Sequence, residues 1–177
     1  MINAREYGKA LFLLAEEEQL TEEMLDTLDA VKTIMAQNPG YVKLLDTPAV
    51  STAQKLALID EAFGEVETIA LNFIKILCEK RSVYQFPRCA DAFRQLYEET
   101  RGIENAQAVT SRPLTEEQLS ALKNRLETLT GKTIQLENII DPKLIGGITL
   151  RVGGKQFDHS LRARLDALQS SLGKTIV

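Results

Sequence analysis

Histidine and cysteine are nearly missing from this chain, which has one histidine, His159, and two cysteines, Cys78 and Cys89, among 177 residues. With no CxxC spacing and no histidine near either thiol, the sequence offers no set of metal ligands. Both cysteines fall in helix-like stretches and read as small buried thiols of a reducing compartment. Long apolar runs are absent too. No segment approaches the ~20 apolar residues that span a bilayer. The opening MINAREYGKALFLLAEEE has too short an apolar stretch and too many carboxylates for a secretory signal or a transit peptide. The chain is therefore expected to be soluble and cytoplasmic in topology, meeting a membrane only through partners. Positive charge is scarce as well: 21 Lys and Arg stand against 25 Asp and Glu, a net charge of -4. Holding nucleic acid needs clustered cations to neutralise phosphate, so that task is excluded as the main one.

What is present is an ordinary globular mixture, 44% hydrophobic and 26% charged, long enough for one domain or two small ones. The texture changes near Arg101–Gly102. Before it, helical periodicity recurs. Residues 4–18 and 22–37 read as helices, with Thr21 as N-cap of the second. Asn38-Pro39-Gly40 ends that helix, Gly40 taking a left-handed turn. A short apolar segment, 41–45, follows. Ser51 caps a helix through Ala62 with Gly64 beyond its end, and 66–80 forms the fifth helix. Pro87 sits in the first turn of a sixth, whose Phe86, Cys89, Ala90, Phe93, Leu96 and Tyr97 keep helical spacing. Residues 1–102 are thus expected to form a six-helix bundle.

Residues 103–177 read as a small α+β lobe, making the chain mainly α and α+β overall. Residues 104–111 alternate weakly, as a strand does. Thr115 to Gln118 is a capping box opening a helix with Leu119, Leu122, Leu126 and Leu129 on one stripe and Gly131 as its stop. Ile134 and Leu136, then Ile148, Leu150 and Val152, alternate, and Gly153-Gly154 signals a hairpin. Asp158 caps a final helix aligning Leu161, Leu165, Leu168 and Leu172. There is no internal repeat and no low-complexity tract.

A search for chemistry finds no constellation. His159 beside Asp158 lacks a nucleophile, a metal and a pocket. Gly153-Gly154-Lys155 lacks the spacer and the hydroxyl residue of a phosphate loop, and it links strands instead of opening a helix. Gly146-Gly147 is read as backbone freedom at a strand entrance. The acidic residues 16–18 and 22–23 form a solvated surface around the first interhelical loop. No cofactor, metal or catalytic residue is expected.

Two helices are unusually apolar. In the first, Ala4, Tyr7, Gly8, Ala10, Leu11, Phe12, Leu14 and Ala15 sweep about half the circumference, where a surface helix needs only a ~100° stripe. The fifth behaves alike, with Val66, Ile69, Ala70, Phe73, Ile74, Ile76 and Leu77. Either both helices lie at the centre of the bundle, or the excess lines a groove for a partner helix. Small Gly8 and Ala10 would permit close approach of such a helix.

The stretch 5–12, Arg-Glu-Tyr-Gly-Lys-Ala-Leu-Phe, resembles the opening helix of the ATP synthase delta subunit, or oligomycin-sensitivity-conferring, family. Residues 140–153, with Asp141, Gly146 and Gly147, followed by Asp158, Ser160, Leu161 and Leu165, are similar to that family's C-terminal signature. The resemblance covers essentially the whole chain. Two departures stand out: Gly8 where the family usually has Ala, and Gly154-Lys155 in a turn where an acidic residue is common. Gly8 is expected to loosen the first helix by about 1 kcal/mol relative to Ala.

The resemblance implies a non-catalytic peripheral-stalk connector of an F-type ATP synthase on the cytoplasmic side of a bacterial plasma membrane. It implies that the N-terminal helix of an alpha subunit binds between the first and fifth helices. Groove residues would be Tyr7, Ala10, Leu11 and Leu14 with Ile69, Phe73, Ile76, Leu77 and Lys80. The C-terminal lobe would meet the end of the b-subunit stalk, giving the leucine stripe of the last helix an external role unless it packs on the lobe's own sheet. The alternative is a nucleic-acid-binding adaptor, for which only Arg151, Lys155, Arg162 and Arg164 are at hand.

Overall fold

The computed structural model describes residues 2–144 and 146–158. The chain divides into two compact units, Met1–Glu98 and Glu99–Val177. The helices are α1 (Ala4–Glu17), α2 (Thr21–Gln37), α3 (Pro39–Asp46), α4 (Thr52–Phe63), α5 (Thr68–Glu79), α6 (Phe86–Arg101) and α7 (Glu116–Thr130). The strands are β1 (Ile103–Thr110), β2 (Thr133–Ile140), β3 (Ile148–Val152) and β4 (Lys155–Asp158). A 3₁₀ turn, Val83–Gln85, precedes α6. This is an α+β chain.

Local chemistry accounts for most boundaries. Asn3 starts α1 by accepting the Arg5 N–H through its side chain at 3.2 Å. The link to α2 turns through Gln19, a non-glycine residue at φ 60°. Thr21 is not the cap expected of it. It is the first residue of α2, and Leu20 before it offers no side-chain acceptor; Glu22 and Glu23 instead place negative charge against the positive end of the helix. The second correction concerns Asn38-Pro39-Gly40. α2 does end at Gln37, but Pro39 opens α3 at once, in the one place where its missing N–H costs nothing, and Gly40 is helical. Ser51 caps α4 with a complete capping box. α5 begins two residues later than the periodicity suggested, because Glu67 folds its carboxylate over the start and accepts from Ile69 N at 2.6 Å and Ala70 N at 3.1 Å.

One core joins all the helices of the first unit. Phe12, Met24, Leu28, Leu45, Ile59, Ile74, Phe86 and Phe93 are among its buried members. Gly8 faces this core and not the groove that its small size had suggested. A Cβ added there would lie 2.5 Å from the Cys89 carbonyl oxygen and 2.7 Å from Ala92 Cβ, so the glycine lets α1 and α6 touch. One turn on, Phe12 meets Phe93 edge to face at 5.5 Å. Ion pairs Lys32–Asp91 and Arg94–Asp29 tie α2 to α6 at the surface. The Asp29 carboxylate, hydrogen-bonded to Arg94, raises that guanidinium's pKa. Between α3 and the 3₁₀ turn the link is the Asp46 carboxylate, which accepts from Val83 N at 3.0 Å and Tyr84 N at 3.1 Å.

In the second unit the sheet order is β2-β1-β3-β4. β1 and β2 are parallel, joined by the α7 crossover that parallel pairing requires. β3 and β4 are antiparallel neighbours, with Val152 opposite Lys155. Gly153 at φ 55° and Gly154 at φ 72° make the two-residue turn between them, where side-chain-bearing residues would be strained. Thr115 completes a capping box at α7, and Gly131 closes it in the left-handed region at φ 69°. Ala106, Leu126, Ile134 and Val152 form the small core. The α7 stripe is only partly covered, since Leu126 is 7% exposed but Leu129 is 75% exposed.

Candidate partner-binding groove

The apolar surfaces of α1 and α5 split into two faces. Inward go Gly8, Phe12 and Ala15 from α1 and Ala70, Ile74 and Leu77 from α5, all buried. The remainder lines an open groove of about 300 Å³ between the two helices. From α1 it receives Tyr7, Ala10, Leu11 and Leu14; from α5, Ile69, Phe73, Ile76 and Asn72. The two readings of the wide arcs are therefore not exclusive, because each helix serves both the core and an outward slot.

Depth varies across the groove. Leu11 and Phe73 form its floor, at 4% and 6% exposure. Tyr7 and Ile69 are half-buried. Leu14 and Ile76 stand in the walls at 41% and 44% exposure, and Ala10 lies exposed between the larger side chains. No charged side chain is in the lining. Because each wall residue is already more than half covered, burying the rest of it under apolar surface is worth on the order of 1 kcal/mol.

Two residues expected in the groove are elsewhere. Leu77 is wholly buried in the core, one helical step (~100°) round from Ile76. Lys80 is the exposed C-cap of α5 and takes no part in the lining. Asn72, a polar residue and so outside any apolar pattern, joins the lining through its position, three residues after Ile69 and four before Ile76.

The C-terminal signature residues do structural work where they are described. Asp141 donates its N–H to Thr110 O at 2.9 Å, and its carboxylate accepts from Lys143 N at 3.0 Å, closing a turn. Gly146 is half-buried, and Gly147 takes φ 87° just before β3, a conformation that favours glycine. Asp158 ends β4 and accepts from Thr149 Oγ1 at 3.2 Å. His159, Ser160, Arg162 and Arg164, and the final helix expected to carry Leu161, Leu165, Leu168 and Leu172, lie outside the described residues. Among the described residues there is no cluster of three His, Cys, Asp or Glu side chains placed to hold a metal. No described helix is long and apolar enough to cross a membrane. Both thiols are buried, and burial pushes the Cys89 pKa up to about 11.

Residues 4–172 match the model of the ATP synthase delta (OSCP) subunit family. The chain belongs to that family. It is 38% identical over 172 residues to the ATP synthase subunit delta of a Geobacillus species, covering 97% of each chain. Against the subunit delta of Anoxybacillus flavithermus the identity is 35%, covering 96% of each. A chain of the Toxoplasma gondii mitochondrial ATP synthase hexamer, solved by cryo-EM, superposes with a TM-score of 0.70 at 26% identity, covering 97% of this chain and 98% of that one. Membership in the delta (OSCP) family makes this chain a peripheral-stalk component of an F-type ATP synthase and a structural part of that complex. The nucleic-acid adaptor loses its support: Arg151 is engaged with Gln156 at 3.3 Å, and the match runs through the whole basic region.

Proposed function

We propose that this chain is a non-catalytic stator connector whose N-terminal six-helix bundle, residues 1–102, grips the N-terminal helix of an ATP synthase alpha subunit in the α1–α5 groove. The observation that carries the reading is the groove itself: an open, uncharged slot on the two helices that the family resemblance singles out. Residues 103–177 meet the end of the b-subunit stalk, so the chain joins catalytic head to membrane sector while lying peripheral, on the cytoplasmic side of a bacterial plasma membrane.

The mechanics favour such a joint. Torque on the catalytic head must be resisted by something that dissociates slowly, and chemistry is not needed. An amphipathic helix laid into an apolar groove gains roughly 25 cal/mol per Å² of apolar surface buried, less the cost of ordering it. A carboxylate in the groove would have to be desolvated with no cation in the lining to meet it.

The test is calorimetric titration of the full chain with a synthetic peptide of the alpha-subunit N-terminal helix. Ala10→Asp and Tyr7→Asp are expected to stay folded and to weaken binding at least a hundredfold, since a buried unpaired charge costs several kcal/mol. Unchanged affinity in both variants removes the groove from the reading.

A further inference from the structure

A second groove, independent of the first, opens on another side of the same unit. It measures about 410 Å³ and has an apolar floor of Met35 and Val83, with half-buried Val42 and exposed Ala36 beside it. Its walls are held in place. The Asp46 carboxylate fixes the 3₁₀ turn that carries Val83 and Tyr84, and the Lys32–Asp91 pair joins α2 to α6 beside it. A slot with pinned walls loses little freedom when filled, which favours binding. Its rim includes Tyr84, a large side chain left 50% exposed.

Charge separates this groove from the one between α1 and α5. Two lysines, Lys32 and Lys43, line it, and no carboxylate does, in a chain whose net charge is -4. Lys32 is answered by Asp91, which lies outside the lining. Lys43 is exposed and makes no ion pair among the described residues. An apolar floor under an unanswered cation fits an apolar stripe bordered by carboxylates.

We infer that this second groove docks an acidic amphipathic helix belonging to another subunit of the ATP synthase. The occupant presents apolar side chains at i, i+3, i+4 and i+7 to the floor and sets Asp or Glu against Lys43. Two separate attachment points on one small unit would resist rotation of a bound head about either helix alone.

The inference is tested in purified, assembled complex with the photo-cross-linking residue p-benzoylphenylalanine at exposed Ala36, and in a parallel preparation at Leu14 in the first groove. The cross-linked peptides are identified by mass spectrometry. At Ala36 the expected product is a helical segment of another subunit with an apolar stripe and flanking carboxylates. Lys43→Glu is expected to cut its yield on the order of fivefold. No product at Ala36, a product from a basic segment or from a second copy of this chain, or a yield indifferent to Lys43→Glu overturns the inference. The Leu14 product reports separately on the α1–α5 groove, so either reading can fail alone.

Discussion

At the scale of single residues, Gly8 gives the sharpest expectation. An exposed mid-helix Gly→Ala change usually gains about 1 kcal/mol. Here the added methyl would meet backbone of α6 at 2.5 Å, which a side-chain rotation cannot relieve. Gly8→Ala is expected to lose about 1–3 kcal/mol in urea unfolding, reversing the usual sign. Cys89 makes the opposite case, a residue that matters by being inert. Its burial raises the thiol from 9.0 to about 11, so native protein at pH 8 should react with a thiol reagent far more slowly than denatured protein. The linkage has a definite sign. The folded pKa lies above the unfolded one, so stability from the neutral thiol is intact below pH 9 and is lost between about 9 and 11. Equilibrium unfolding across that window, compared with Cys89→Ala, measures it.

At the scale of elements, the molecule depends on short polar ties as much as on its core. Asp46 satisfies two backbone donors of a 3₁₀ turn that has no side-chain cap of its own. Asp46→Ala leaves them half-exposed and is expected to lower stability by about 1–3 kcal/mol and the thermal midpoint with it. The same scale explains what could be read in advance. Ser51 and Thr115 announced their helices because a capping box is complete within four residues. Gly153-Gly154 announced its hairpin because both glycines sit in one turn. The start of α2 showed to within one residue, but its cap did not, since Thr21 is already helical and Leu20 supplies no acceptor; α3 showed only as the short apolar segment 41–45, because Pro39 was read as a stop when it opens the helix. Parallel pairing of β1 with β2 was equally hidden: its register joins residues thirty positions apart, such as Ala106 and Leu136, and nothing local encodes that. Groove and core were separable only once the rotation of α5 was known, because Ile76 and Leu77 are adjacent in sequence and ~100° apart on the helix.

At the scale of the whole molecule, two hydrophobic cores share no residue among the described ones. Among the described residues the first holds twenty buried side chains and the second four. Residues 1–102 expressed alone are expected to unfold cooperatively with a midpoint close to that of the first unit in the full chain, by circular dichroism. A fragment that is a molten state, with native helix content and no sharp transition, would show that the second unit completes its core.

An empty greasy trough is also an adhesive. Leu14 and Ile76 stay wet until something covers them, and water presses every such surface toward the nearest match, a second copy included. Solo copies of this chain are therefore the state most prone to clumping. A partner helix seated in the trough, as proposed, would remove that hazard by the same contact that transmits force, which would make supply in step with the other subunits a physical need of the fold.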